Sequence, residues 1–142
     1  MKINKIDHIC IAVKDLAAAQ KLWEPVLGKS GPDETYTDEA AKVRVARYMV
    51  GEVGLELLED TTGDGPTARS IQARGEGITL IGLNVPNTAE AIAELDAKGY
   101  PIISDPEHGK VLPSPLGCDY GFVHPKGLNG VLVEVIDYKC DE

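Results

Sequence analysis

Three side chains in this sequence have the chemistry to bind a divalent cation or move a proton: His8, Glu56 and Glu134. Each sits in a short apolar run with period-two alternation, the pattern of a half-buried strand. In Ile6-Asp7-His8-Ile9-Cys10-Ile11-Ala12-Val13, the residues Ile9, Ile11 and Val13 fall on one face, and His8, Cys10 and Ala12 on the other. Glu56 lies in Leu55-Glu56-Leu57-Leu58-Glu59, and Glu134 in Val133-Glu134-Val135-Ile136-Asp137. One imidazole and two carboxylates suit Co, Mn, Fe, Ni or Zn, and three protein ligands leave coordination positions open for a substrate. An ion held there would polarise a carbonyl and stabilise an enolate, while a carboxylate, Glu56 or Glu134, moves the proton. Taken singly, each residue has an ordinary alternative as a solvated Glu or a hydrogen-bonded His, because carboxylates are seldom buried unpaired. Their common place in a repeat is what favours a site.

The elements that position them are written twice. The first strand is followed by Asp15 as a helix N-cap, a helical stretch from Leu16 through Trp23, and Leu27-Gly28 as its stop. Thr79-Leu80-Ile81-Gly82-Leu83-Asn84-Val85 repeats the strand, with Asn87 or Thr88 as cap, a helix over Ala89 to Lys98, and Gly99 at its end. Ile81, Leu83 and Val85 take the places of Ile9, Ile11 and Val13, so Leu80 stands where His8 stood. The Glu56 and Glu134 segments form the second repeated pair.

Between these markers, Glu34 to Thr37 reads as a short edge strand, and Lys42–Val50 with Val53–Glu59 as a hairpin about Gly51-Glu52. Thr67 to Arg74 reads as a linking helix. In the second half, Pro101-Ile102-Ile103 reads as a short strand and Ser104 to Gly117, with its prolines, as a long loop. Asp119–Val123 and Val131–Tyr138 read as strands joined by the His124–Gly130 turn. The expected fold class is α+β: paired βαβββ modules, about 1–62 and 76–142, linked by a helix at 66–74 within a single domain. Their curved mixed sheets would surround a central cup, with the helices outside and His8, Cys10, Glu56, Glu134, Leu80, Gly82 and Asn84 facing in.

A net charge of −9 argues against nucleic acid or an anionic membrane as partner. No apolar run reaches membrane-spanning length, and Met1-Lys2-Ile3-Asn4-Lys5 lacks the apolar core of a signal peptide. Cys10, Cys118 and Cys140 are odd in number and show no metal spacing, so reduced thiols in a cytoplasmic protein are expected.

With these motifs in view, the chain resembles the vicinal oxygen chelate superfamily (the glyoxalase, bleomycin-resistance and extradiol dioxygenase fold), and within it the methylmalonyl-CoA epimerases. The resemblance rests on Asp7-His8-Ile9 with Ala12-Val13-Lys14-Asp15-Leu16, on Val43-Arg44-Val45-Ala46 and on Leu55-Glu56-Leu57-Leu58-Glu59. It continues in Arg74-Gly75-Glu76-Gly77-Ile78 and ends in His124-Pro125-Lys126-Gly127 with Gly130-Val131-Leu132-Val133-Glu134. It implies paired βαβββ modules and a divalent metal held by His8, Glu56 and Glu134. The family's remaining ligand, a His in a Gly-Ile-His-His-Ile-like motif, falls on Leu80 of Gly77-Ile78-Thr79-Leu80-Ile81, and the stretch before His124 departs as Gly117-Cys118-Asp119-Tyr120.

The resemblance implies a metal-dependent isomerase or lyase acting next to a carbonyl, with a small-molecule substrate of the acyl-CoA class and a homodimeric assembly. Leu80 brings no donor but adds an apolar wall, which favours the alternative of a metal-free small-molecule-binding protein. A glyoxalase-like lyase is the third reading. Lys126 reads equally as a phosphate contact for a coenzyme A tail and as an exposed turn residue. Leu80, Lys126, Cys10 and Asn84 are the candidate substrate contacts, though Cys10 reads as a small hydrophobe rather than a nucleophile. Asp119 is a further candidate for proton transfer, and His108 reads as solvated.

Overall fold

The computed structural model describes residues 1–113 and 118–138. Its elements run β1 (Lys5–Ala12), α1 (Leu16–Leu27), β2 (Glu34–Asp38), β3 (Val43–Val50), β4 (Val53–Asp60), α2 (Pro66–Arg74), β5 (Gly77–Asn84), α3 (Thr88–Ala97), β6 (Leu112–Pro113), β7 (Asp119–Val123) and β8 (Leu132–Ile136). This is βαβββ twice, in an α+β fold, as the repeat implied. The chain divides into two compact units, His8–Thr79 and Met1–Asp7 with 80–142. The first seven residues thus belong with the second half, where the Asn4 amide donates to the Asn84 carbonyl at 2.8 Å.

In the first unit β2 and β3 are antiparallel, β3 and β4 are antiparallel, and β1 runs parallel to β4. In the second, β6, β7 and β8 repeat the antiparallel pairs and β5 runs parallel to β8. The register repeats too: Cys10 lies opposite Glu56, and Gly82 opposite Glu134. Parallel neighbours need a crossover, which the intervening helix and hairpin supply.

Helix α1 begins where the sequence places it. Asp15 accepts from the Ala18 amide at 3.0 Å, Glu59 takes the Leu16 amide at 2.8 Å, and Gly28 closes the helix in the left-handed region at φ 67°. It covers the odd-numbered face of β1 and the matching faces of β3 and β4, where Ile11, Val13, Ala19, Ala46, Tyr48 and Leu57 form one core cluster. Asn87 caps α3 through the Glu90 amide, and Thr88, one residue inside, donates its hydroxyl to the Asp119 carbonyl at 2.8 Å. Its Ala91 and Ile92 pack with Val85 and Val135. A side chain at Gly121 would collide with Ile92, so this β7 position has to be glycine for α3 to sit so close.

Two expectations do not hold. Residues 101–103 make only an isolated bridge, Ile102 to Val123, and the short antiparallel strand of the second module lies instead at Leu112–Pro113, inside the stretch read as loop. Pro101 has no amide to donate, so it gives only its carbonyl, to the His124 amide at 2.7 Å. Cys118 is disulfide-bonded, against the expectation of three reduced thiols, while Cys10 is a buried, reduced thiol. Cys140 and the 114–117 part of the proline-rich loop lie outside the described residues.

Tyr48 gives the first module a pH dependence. It is fully buried, and its hydroxyl donates to Glu24 at 2.6 Å. Burial first, and the bond to the negative Glu24 second, push its phenol up to about 12. The neutral phenol is therefore favoured by folding: its contribution is complete below the unfolded value near 10 and is lost as pH rises through 12. Unfolding in urea between pH 9 and 12 should show stability falling across that window, with a shallower fall in Tyr48→Phe. Equal slopes would refute the assignment.

Candidate active site

The face of the first module away from α1 is built by parity. On β1 it carries His8, Cys10 and Ala12; on β4, Gly54, Glu56 and Leu58; on β3, Val45 and Arg47; on β2, Tyr36. His8 is 8% exposed, Cys10 5% and Glu56 5%, so these three are largely withdrawn from water, while Tyr36 on the β2 edge is 41% exposed. A lone buried carboxylate would be costly, and Glu56 is not alone.

Arg47 lies directly across the β3–β4 ladder from Glu56, and its Nη1 forms an ion pair with Glu56 Oε2. The other carboxylate oxygen faces two donors, the Tyr36 hydroxyl at 3.4 Å and Cys10 Sγ at 3.6 Å. Burial first, and the neighbouring Glu56 charge second, hold the Tyr36 proton well above the usual phenol range, so Tyr36 serves as a donor rather than an anion. The guanidinium has its place because position 54 is glycine. A Cβ there would fall on Arg47, and Gly54 is the register partner of His8.

The second module carries its own candidates. Glu134 is 9% exposed and lies between Gly82 on β5 and Phe122 on β7. Leu80 is paired with Leu132 on the same face. Asn84 accepts a side-chain bond from Asn4 Nδ2 at 2.8 Å. Lys126 is exposed in a single 3₁₀ turn (Pro125–Gly127), where its amide donates to His124 Nδ1 at 3.0 Å. The Asp119 backbone is tied to Thr88 and Asp137, which anchors the start of β7. His108 lies on an exposed turn.

Sequence reasoning named His8, Cys10 and Glu56 but missed Arg47 and Tyr36. The available signal was the hairpin: with Gly51-Glu52 as its turn, Arg47 falls opposite Glu56, and opposite charges at directly opposed positions attract.

Two βαβββ modules, each with a helix on one sheet face and buried polar groups on the other, define the class. Residues 7–113 match the model of the glyoxalase/bleomycin resistance protein/dioxygenase superfamily, and the chain belongs to that superfamily. It is similar to the uncharacterized protein YqjC of Bacillus subtilis (strain 168), 33% identical over 141 residues, covering 99% of this chain and 96% of that one. It is also similar to the mitochondrial methylmalonyl-CoA epimerase of Mus musculus, 29% identical over 139 residues, covering 94% of this chain and 73% of the relative. Among solved structures, a variant methylmalonyl-CoA epimerase from Streptomyces coelicolor in complex with 2-nitronate-propionyl-CoA superposes with a TM-score of 0.84 at 27% identity, covering 97% of this chain and 99% of that one. No described helix is long and apolar enough to cross a membrane.

The donor set does not fit the divalent metal that the resemblance implies. Among the described residues, no three His, Cys, Asp or Glu side chains come together in a way that could hold a metal ion. The Glu56 carboxylate is committed to a guanidinium, and Leu80 has no donor atom.

Proposed function

We propose that this chain takes a small carbonyl compound, an acyl thioester before a 2-oxo acid, and moves a proton at the carbon next to the carbonyl. Glu56 is the group that moves it. The observation supporting this is a buried carboxylate with one oxygen held by Arg47 and the other facing Tyr36 and Cys10. Arg47 fixes the orientation of the carboxylate, and the burial of Glu56 itself limits competition from water for the proton. The α-proton passes to the carboxylate, the electron pair moves into the carbonyl as an enolate, and a proton delivered to the opposite face by a second acid inverts the centre. Epimerisation of methylmalonyl-CoA is the specific version, supported by similarity to epimerases in sequence and in structure. Within the same reading Glu134 is a second candidate proton carrier, His8 a polar wall, and Leu80, Cys10, Asn84 and Lys126 substrate contacts. A homodimer is part of the proposal.

A second reading is a binding protein of the same fold that takes a ligand without turnover, favoured by the apolar Leu80. Incubation with methylmalonyl-CoA in deuterated water, followed by mass spectrometry, separates the two. Label at the α-carbon with the wild type, and its loss in Glu56→Gln, supports proton transfer. Thermal protection by the thioester without label supports the binding protein. Protection by a thiol adduct of a 2-oxo aldehyde alone points to a lyase, and no exchange and no protection would overturn the proposal.

A further inference from the structure

We propose that Arg47 is the resident cation of this face and excludes a divalent metal from it. Three observations on the first module carry this, independently of which substrate is taken. The guanidinium is paired to Glu56, the residue that the resemblance reads as a metal ligand. It is largely withdrawn from solvent, with 18% of its side chain exposed against 7% for Glu56, so the pair is formed where charges are weakly screened. Its seat is provided for: Gly54 alone leaves room for it, and Gly54 has no positive φ that would itself require glycine.

The chemistry follows from the charges. A divalent ion drawn to Glu56 would meet a fixed positive charge already bonded to the same carboxylate, and would have to displace it. Arginine does not give up its proton near neutral pH, so the guanidinium cannot relieve the repulsion by titrating. A single permanent positive charge, attached through the backbone of β3, neutralises the carboxylate that an ion would otherwise hold. Arg47 is on this account a specificity-determining residue, and it makes the site independent of metal supply.

The test is calorimetric titration of the intact chain with Co²⁺ alone, after treatment with chelator, alongside thermal unfolding with and without the ion. The wild type is expected to show no saturable binding and an unchanged Tm. Arg47→Met keeps an unbranched apolar stem and removes the charge, and is expected to bind Co²⁺ saturably where the wild type does not, with a higher Tm when the ion is present. Arg47→Lys keeps the charge and is expected to stay metal-free. Gly54→Ala reaches the same end by a second route, since its methyl group displaces the guanidinium while Arg47 is retained; it too should gain Co²⁺ binding. One tightly held Co²⁺ per wild-type chain would overturn the proposal. So would a gain of metal in Leu80→His with none in either Arg47→Met or Gly54→Ala, because the missing ligand would then be the sole cause.

Discussion

Glu56→Leu should destabilise the chain by about 3–5 kcal/mol, and Arg47→Met/Glu56→Leu should recover most of that loss. In the single variant the guanidinium of Arg47, 18% exposed, is left beside a leucine with no counter-charge from Glu56. Removing one partner of a buried ion pair exposes the full desolvation cost of the other, whereas replacing both by apolar groups of similar size removes that cost together with the attraction. Arg47→Met alone should cost less than Glu56→Leu, because the carboxylate keeps Tyr36 and Cys10 as partners. At roughly 3 °C per kcal/mol for a chain of this size, the Glu56→Leu loss is a fall in Tm of about 10–15 °C. Urea unfolding of the four proteins closes the cycle. Additive losses would mean that the two side chains do not depend on each other, and would remove the basis for treating Arg47 as the counter-ion.

The second large effect belongs to the opposite face of the same strand. Leu57→Ala should cost about 2–5 kcal/mol. Leu57 is fully buried among Ile11, Val13, Ala46 and Tyr48 beneath α1. Alanine would remove three carbons and leave a cavity that the flanking strands, held by their ladder, close only in part. Leu22 on α1 provides the control, since it is 74% exposed and Leu22→Ala should change stability by no more than about 0.5 kcal/mol. Thermal unfolding of both checks this. A loss below 1 kcal/mol for Leu57→Ala would mean that the α1 face is not the main core of the first module.

Together these predictions separate what the two faces do. On one, alternation buries aliphatic side chains against a helix, and stability scales with apolar contact. On the other, the same alternation buries His8, Cys10 and Glu56, and the cost of the Glu56 charge is offset by Arg47 and Tyr36. The second face tolerates that cost only while its partners remain in register. A polar face of this kind is where chemistry is to be expected on a fold whose relatives include epimerases.

By itself the sequence determined the repeated strand–helix units and the strand face that His8, Cys10 and Glu56 share. Those are local facts: alternation at period two decides which side of a strand a residue takes, and Asp15, Gly28 and Asn87 mark helix ends through bonds made within a few residues. The repeated segments even carried the register, since Cys10 faces Glu56 as Gly82 faces Glu134. What only the tertiary structure decided was which partners those residues meet. Arg47 reaches Glu56 because β3 and β4 are aligned across their full length and Gly54 leaves space, two conditions set by neighbouring strands rather than by the residues around Glu56. Leu112–Pro113 became a strand, although two residues carry no periodicity, because Asp119–Tyr120 of β7 offered its edge. The ion pair at Glu56 arises in the same way. A side chain's type and face are encoded where it stands, but its counter-charge comes from another strand, and only folding brings the two together.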